Sequence, residues 1–186
     1  MEKEQIIVLA ALEFGNIVVG MTALDQMVKV APVQIIDART ISSGKYLVIF
    51  SGDVASVEYA YRAGTNSAGS YLIDHLFLPH VHPGVIPAIG NTLQHEKWDA
   101  IGLIETLSIV SAIEAADLAA KEGGVKIIEI RLADGYGGKS YVKLMGSLDA
   151  LQAAVRAGTS KAKEKNLLGM DTIIPQPHQE IKPFFM

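Results

Sequence analysis

The chain has 186 residues, 49% hydrophobic and 19% charged, with a formal net charge of −4 and a mean hydropathy of +0.28. It has no dense Lys/Arg tract to grip a phosphate backbone, so nucleic acid is not an expected partner, and it has no cysteine for a disulfide, a thiolate metal site or a nucleophile. Apolar stretches are cut by charge or glycine before the roughly 20 residues of a membrane span, and the opening Met1-Glu2-Lys3-Glu4-Gln5 lacks a signal-peptide pattern, so a soluble cytosolic chain is expected.

In chain order, Ile6–Leu12 is an unbroken apolar run that predicts a buried strand. Val18, Met21, Leu24 and Val28 recur near the helical period over 18–30, and Pro32 ends that helix. Two stretches rich in β-branched and aromatic residues, 33–40 and 45–50, flank Ser42-Ser43-Gly44 and predict a hairpin. Asp53 is placed to cap a helix over 54–68, and 71–78 predicts a last strand stopped by Pro79. The stretch 82–97, broken by Pro83, Gly84, Pro87 and Gly90, reads as a join. Trp98, the only tryptophan, follows it and is expected to pack.

From there the chain repeats itself. Leu12-Glu13 and Ile17–Asp25 return as Ile104-Glu105 and Ile109–Asp117 at an offset of 92, with Lys29 falling on Lys121 and Val33–Asp37 on Val125–Glu129. After a two-residue insertion, Ser43-Gly44-Lys45 falls on Gly137-Gly138-Lys139 and Arg62-Ala63-Gly64-Thr65 on Arg156-Ala157-Gly158-Thr159. Leu78-Pro79-His80-Val81-His82 then falls on Ile174-Pro175-Gln176-Pro177-His178. Turn glycines, small residues and charges match in order, which two unrelated amphipathic segments would not do. The fold expected is therefore α/β in the α+β, ferredoxin-like sense: two β-α-β-β-α-β units in tandem, at 1–90 and 97–186.

Few residues invite chemistry. Gly137-Gly138-Lys139-Ser140 ends like a phosphate-binding loop, but Ala133 stands where that pattern needs glycine, and the loop joins two strands. His80 and His82 could share one face for a metal, yet no third ligand is close, and a surface turn is the better reading. Glu13 and Glu105 resemble a catalytic acid and base, but duplication explains their pairing without catalysis. No Ser/His/Asp constellation has local support, so no catalytic residue is assigned. The hairpin turns remain, both rich in Gly and Ser and both followed by Lys. Their glycines leave backbone N–H and C=O groups open, and in a ring, symmetry would gather such turns at the axis.

Ile101-Gly102-Leu103-Ile104-Glu105-Thr106, the helix Ala112–Asp117 running on to Lys121, the glycine loop before Lys139 and Ile174-Pro175-Gln176-Pro177-His178 resemble the shell domain of bacterial microcompartments. The resemblance covers nearly the whole chain, twice, in the unpermuted order. It implies a structural, non-enzymatic role. Each chain would form a homotrimer imitating a hexamer, tile with other shell proteins into facets, and surround a pore for small polar metabolites. Ser42, Ser43, Gly44, Tyr136, Gly137 and Gly138 would line that pore. Lys29 and Lys121, with His80 and Gln176 where many relatives carry arginine, would form the facet edge. The turns also resemble those of the trimeric shell proteins of propanediol-utilising compartments, in which the first-copy loop holds a cysteine and three chains bind an iron–sulfur cluster. Ser42 stands at that position, so no cofactor and no metal are expected. The competing reading is a trimeric regulatory protein or enzyme with a small-molecule site between subunits.

Overall fold

A computed structural model describes residues 8–95 and 98–185. Within these the chain divides into two compact units, with the boundary between Val81 and His82. The first contains β1 (Val8–Phe14), α1 (Ile17–Val30), β2 (Gln34–Ile41), β3 (Lys45–Gly52), α2 (Val54–Ala68) and β4 (Leu72–Leu78). Ile6 and Ile7, read as the start of the first strand, lie outside the described residues.

The sheet is antiparallel in the order β2-β3-β1-β4, with Leu12 opposite Val48 on one side and His75 on the other. All seven residues of β1 are buried, and the strand lies inside the sheet with a hydrogen-bonded neighbour on each side. Helices α1 and α2 pack on each other and on this sheet. Between them lies a core that includes Leu12, Phe14, Met27, Val48, Phe50 and Val57. Removing such a side chain from water contributes about 2 kcal/mol, so this core carries most of the unit's stability.

Local chemistry sets the ends of the helices. Asn16 Oδ1 accepts from Val19 N at 3.1 Å, and Asp53 Oδ1 accepts from Ser56 N at 3.0 Å, each satisfying a donor that the first helical turn leaves unpaired. Gly64 lets α2 approach the sheet closely, because a Cβ there would stand 2.4 Å from Leu12 Cδ1.

The apolar period of α1 is present, but most of it faces outward. The helix buries Gly20, Ala23 and Met27, while Val18, Met21 and Val28 are 72%, 51% and 45% exposed. The sheet selects the small-residue face, since the ring of Tyr46 occupies the space a side chain at Gly20 would need.

The second unit contains α3 (Val85–Ala88), β5 (Ala100–Thr106), α4 (Ile109–Glu122), β6 (Val125–Arg131), β7 (Ser140–Gly146), α5 (Leu148–Glu164), β8 (Leu168–Ile174) and α6 (Lys182–Phe185). Its sheet order, β6-β7-β5-β8, repeats the first. Register shifts between Ile35 and Asp37 and between Glu13 and Phe14 recur between Ile127 and Glu129 and between Glu105 and Thr106. Ser108 and Ser147 cap α4 and α5 in place of Asn16 and Asp53.

Residues 82–95 form structure of their own within this second unit. Val85 and Ala88 are fully buried, and α3 packs on β6 and α4. Gly90 N donates to Ile130 O, and Leu93 N to Ile128 O. The stretch 82–90, assigned from sequence to the first domain, thus sits in the second compact unit. Its apolar Val85 and Ala88 have β6 and α4 to pack against there.

Candidate functional site

The two turns occupy equivalent places, between the second and third strands of each unit. In the first, Ile41 pairs with Lys45 and the turn is Ser42-Ser43-Gly44. Ser43 and Gly44 take φ of 69° and 72°, the left-handed region that glycine enters without strain and serine does not favour. Ser43 and Gly44 are exposed and Ser42 is half-buried.

The second turn is longer than its sequence counterpart suggests. β6 ends at Arg131 and β7 begins at Ser140, leaving 132–139 outside the ladder. Gly135, Gly137 and Gly138 all have positive φ; Gly137 is exposed and Gly138 buried. Tyr136 is half exposed, and its ring meets Tyr141 edge-on at 6.3 Å between centroids. A Cβ added at Gly44, Gly135 or Gly137 would meet nothing within 4 Å, so both turn tips project into open space in the single chain. Ser140 begins a strand rather than a helix, so Gly138-Lys139-Ser140 offers no helix N-terminus to a phosphate.

A carboxylate on the central strand anchors each turn. Lys45 Nζ lies 2.8 Å from Glu13 Oε1, and Lys139 Nζ lies 2.8 Å from Glu105 Oε1. The lysine directly after the turn is thereby tied to the sheet, and its charge is compensated locally. This is the structural work of the two glutamates that sequence alone could also read as acid and base. It also reduces what Lys45 and Lys139 could add to anion attraction at the turns.

The proposed edge residues occupy matching positions in their own units. Lys29 closes the last turn of α1 and pairs with Asp25 at 2.6 Å, and Lys121 does the same on α4 with Asp117. His80 and Gln176 follow the last strand of each unit and are exposed. His82 is a structural residue: its Nδ1 accepts from Gly84 N at 3.1 Å and its own N–H donates to Asp117 Oδ1 at 2.7 Å. No group of three His, Asp or Glu among the described residues is arranged to hold a metal. An iron–sulfur cluster requires thiolates, and the first turn offers only hydroxyls in a chain without cysteine, so these residues do not fit that group.

Sequence reasoning missed a cluster on β6 and β7. The fully buried Glu129 carboxylate is paired with Lys143 at 2.8 Å and with Arg131. Lys143 Nζ also donates to Phe185 O at 3.3 Å and lies over the rings of Tyr141 and Phe185. With Trp98, whose Nε1 donates to Pro177 O at 2.9 Å and whose ring meets Phe185, it holds the C-terminal helix against the unit. Lys143 replaces Ile49 of the first copy, and that break in the repeat was the available signal. A cleft of about 360 Å³ beside it is lined largely by apolar side chains, including Leu103, Met170 and Phe185. No helix among the described residues is long and apolar enough to cross a membrane.

Two tandem α/β units with the same strand order, each with a turn held to its central strand by an ion pair, define a duplicated-domain protein. The sequence profile of the BMC domain matches residues 9–81 and again 100–177. The chain belongs to the bacterial microcompartment shell proteins, as a member with tandem BMC domains. It is 39% identical to the bacterial microcompartment shell protein PduT of Citrobacter freundii, over 91% of this chain and 92% of that one. It is 32% identical to the shell protein EutM of Salmonella typhimurium over 47% of this chain and 88% of that protein, as expected when one unit aligns with a smaller relative. The crystal structure of a microcompartment protein from Desulfitobacterium hafniense superposes with a TM-score of 0.83 at 39% identity, covering 96% of this chain and 99% of that one.

Proposed function

We propose that this shell protein forms a homotrimer whose six turns, three of each kind, surround a pore for small polar metabolites. Ser42, Ser43, Gly44, Tyr136 and Gly137 line the opening, with hydroxyls and main-chain N–H and C=O groups as its polar surface, while Gly138, expected from sequence to join them, is buried in the single chain and backs the turn. The observation that carries this reading is the pair of equivalent turns, each anchored at its base by an ion pair and each with its tip in open space. A rigid base with an unencumbered tip suits an opening that selects by size and hydrogen bonding. Tyr136, half exposed, narrows the opening where it turns inward. Lys29, Lys121, His80 and Gln176 form the edge along which trimers meet other shell proteins, with exposed lysines near helix ends as the main polar contacts.

The test is Ser42→Trp in shells reconstituted with this protein, using glycerol as the probe. The expected result is slowed glycerol entry with the trimer mass retained on light scattering. Unchanged entry at unchanged mass overturns the pore assignment.

A further inference from the structure

The duplication shows what the uncovered face of α1 is built to receive. Val18, Met21, Asp25 and Val28 correspond to Val110, Ile113, Asp117 and Ala120 of α4. In α1 these four are exposed, and in α4 all four are buried. The second unit carries a covering segment that α1 lacks. The stretch after the first copy's last strand lies on α4, with His82 N–H on Asp117 Oδ1, Val85 fully buried and α3 packed against the helix.

The stretch after the second copy's last strand has the same chemistry, but among the described residues its 179–181 turn packs chiefly on the short α6. His178 falls on His82 at an offset of 96, and Ile181 falls on Val85. The local turn is also the same: His82 Nδ1 accepts from Gly84 N at 3.1 Å, and His178 Nδ1 accepts from Glu180 N at 3.4 Å. His178 is nonetheless exposed, and Ile181 is only partly buried. On α1, Asp25 binds Lys29 through Oδ2, as Asp117 binds Lys121, which leaves Oδ1 in the position that takes the His82 N–H on α4.

We propose that the 176–181 segment of a second copy of this chain docks on α1. His178 N–H of the neighbour donates to Asp25 Oδ1, and Ile181 covers the apolar stripe of Val18, Met21 and Val28. Each chain then gives one segment and receives one, a head-to-tail contact that closes into a ring. This rests on the trimer proposed above and specifies its contact. It also accounts for an apolar helix face that a monomer would leave in water.

The absence of native cysteine makes the test specific. Asp25→Cys and His178→Cys are placed together in the full chain and treated with a short bismaleimide. The expected products on denaturing gels are two and three times 19.9 kDa, whereas single-cysteine chains cannot exceed two. A native mass of three chains without cross-linked product overturns this contact and leaves the ring standing. A link formed within one chain shows the segment covering its own helix, and a native mass of one chain overturns the ring itself; both sink the proposal. As a second variant, Met21→Glu puts a charge on a position exposed in the single chain, so its circular dichroism should be unchanged. Burying that charge unpaired should raise the concentration for half-dissociation by about tenfold or more, and an unshifted value counts against the contact.

Discussion

The two units share strand order, register shifts, caps and turn anchors, and they differ in what surrounds those shared parts. Glu13 is fully buried beside a largely buried Lys45, whereas Glu105 and Lys139 are 39% and 52% exposed, although both ion pairs measure 2.8 Å. The outer face of α1 is open and that of α4 is covered. Gly20 and Tyr46 make a small–large pair where the second copy has Ala112 and Ser140. Duplication therefore preserved the local devices that make the fold, while the value of each device drifted with its surroundings. An ion pair of the same length is worth different amounts in water and out of it.

The sharpest way to break this comparison is to remove the two glutamates separately. Glu13→Ala leaves the Lys45 ammonium largely buried without its partner and should cost about 3 kcal/mol. Glu105→Ala exposes an already hydrated lysine and should cost under about 1 kcal/mol. Denaturant unfolding of the two variants reads the difference, and equal losses would mean that burial does not set the worth of the anchor.

A smaller effect is expected where the core pair differs. Gly20→Ala places a Cβ 2.5 Å from Tyr46 Cβ, which should cost about 2 kcal/mol in the native background. In a Tyr46→Gly background, which removes the Cβ, Cγ and Cδ1 that crowd this position, the same change should cost far less. A double-mutant cycle by thermal unfolding measures this coupling, expected at about 1–2 kcal/mol.

The smallest effect concerns the caps. Hydrogen bonds from Ser56 lower the Asp53 pKa below its ordinary 3.8. Its contribution to α2 is thus present above that pH and is lost as pH falls through the lowered value. Ser147, the equivalent cap, does not titrate. Below pH 3.8 the stability difference between the native chain and Asp53→Asn should shrink, and acid titration followed by circular dichroism checks it.

Much of the fold was legible because its signals act over a few residues. The helix predicted over 54–68 runs over those residues because Asp53 supplies the cap and Gly69 follows the last turn with a positive φ. The repeat was legible for the same reason, since caps, turn glycines and close-approach glycines must recur wherever the unit recurs. The site was less legible. The lysine after each turn was visible, but its glutamate partner lies about 32 residues away in the chain. The length of the second turn depended on where pairing of β6 with β7 stops, which the matching glycines do not report.

By itself the sequence determined the tandem architecture, the family, the turns that carry the candidate site and the exclusion of thiolate chemistry. Only the tertiary structure decided which face of each amphipathic helix is buried. Val18 and Val110 are both valines one residue into a capped helix, and they end 72% and 0% exposed. A helical period says that a face is apolar, but what covers that face comes from far along the chain: His82 reaches Asp117 across 35 residues. Periodicity is local and burial is not, so the two copies could keep one pattern and reach opposite outcomes.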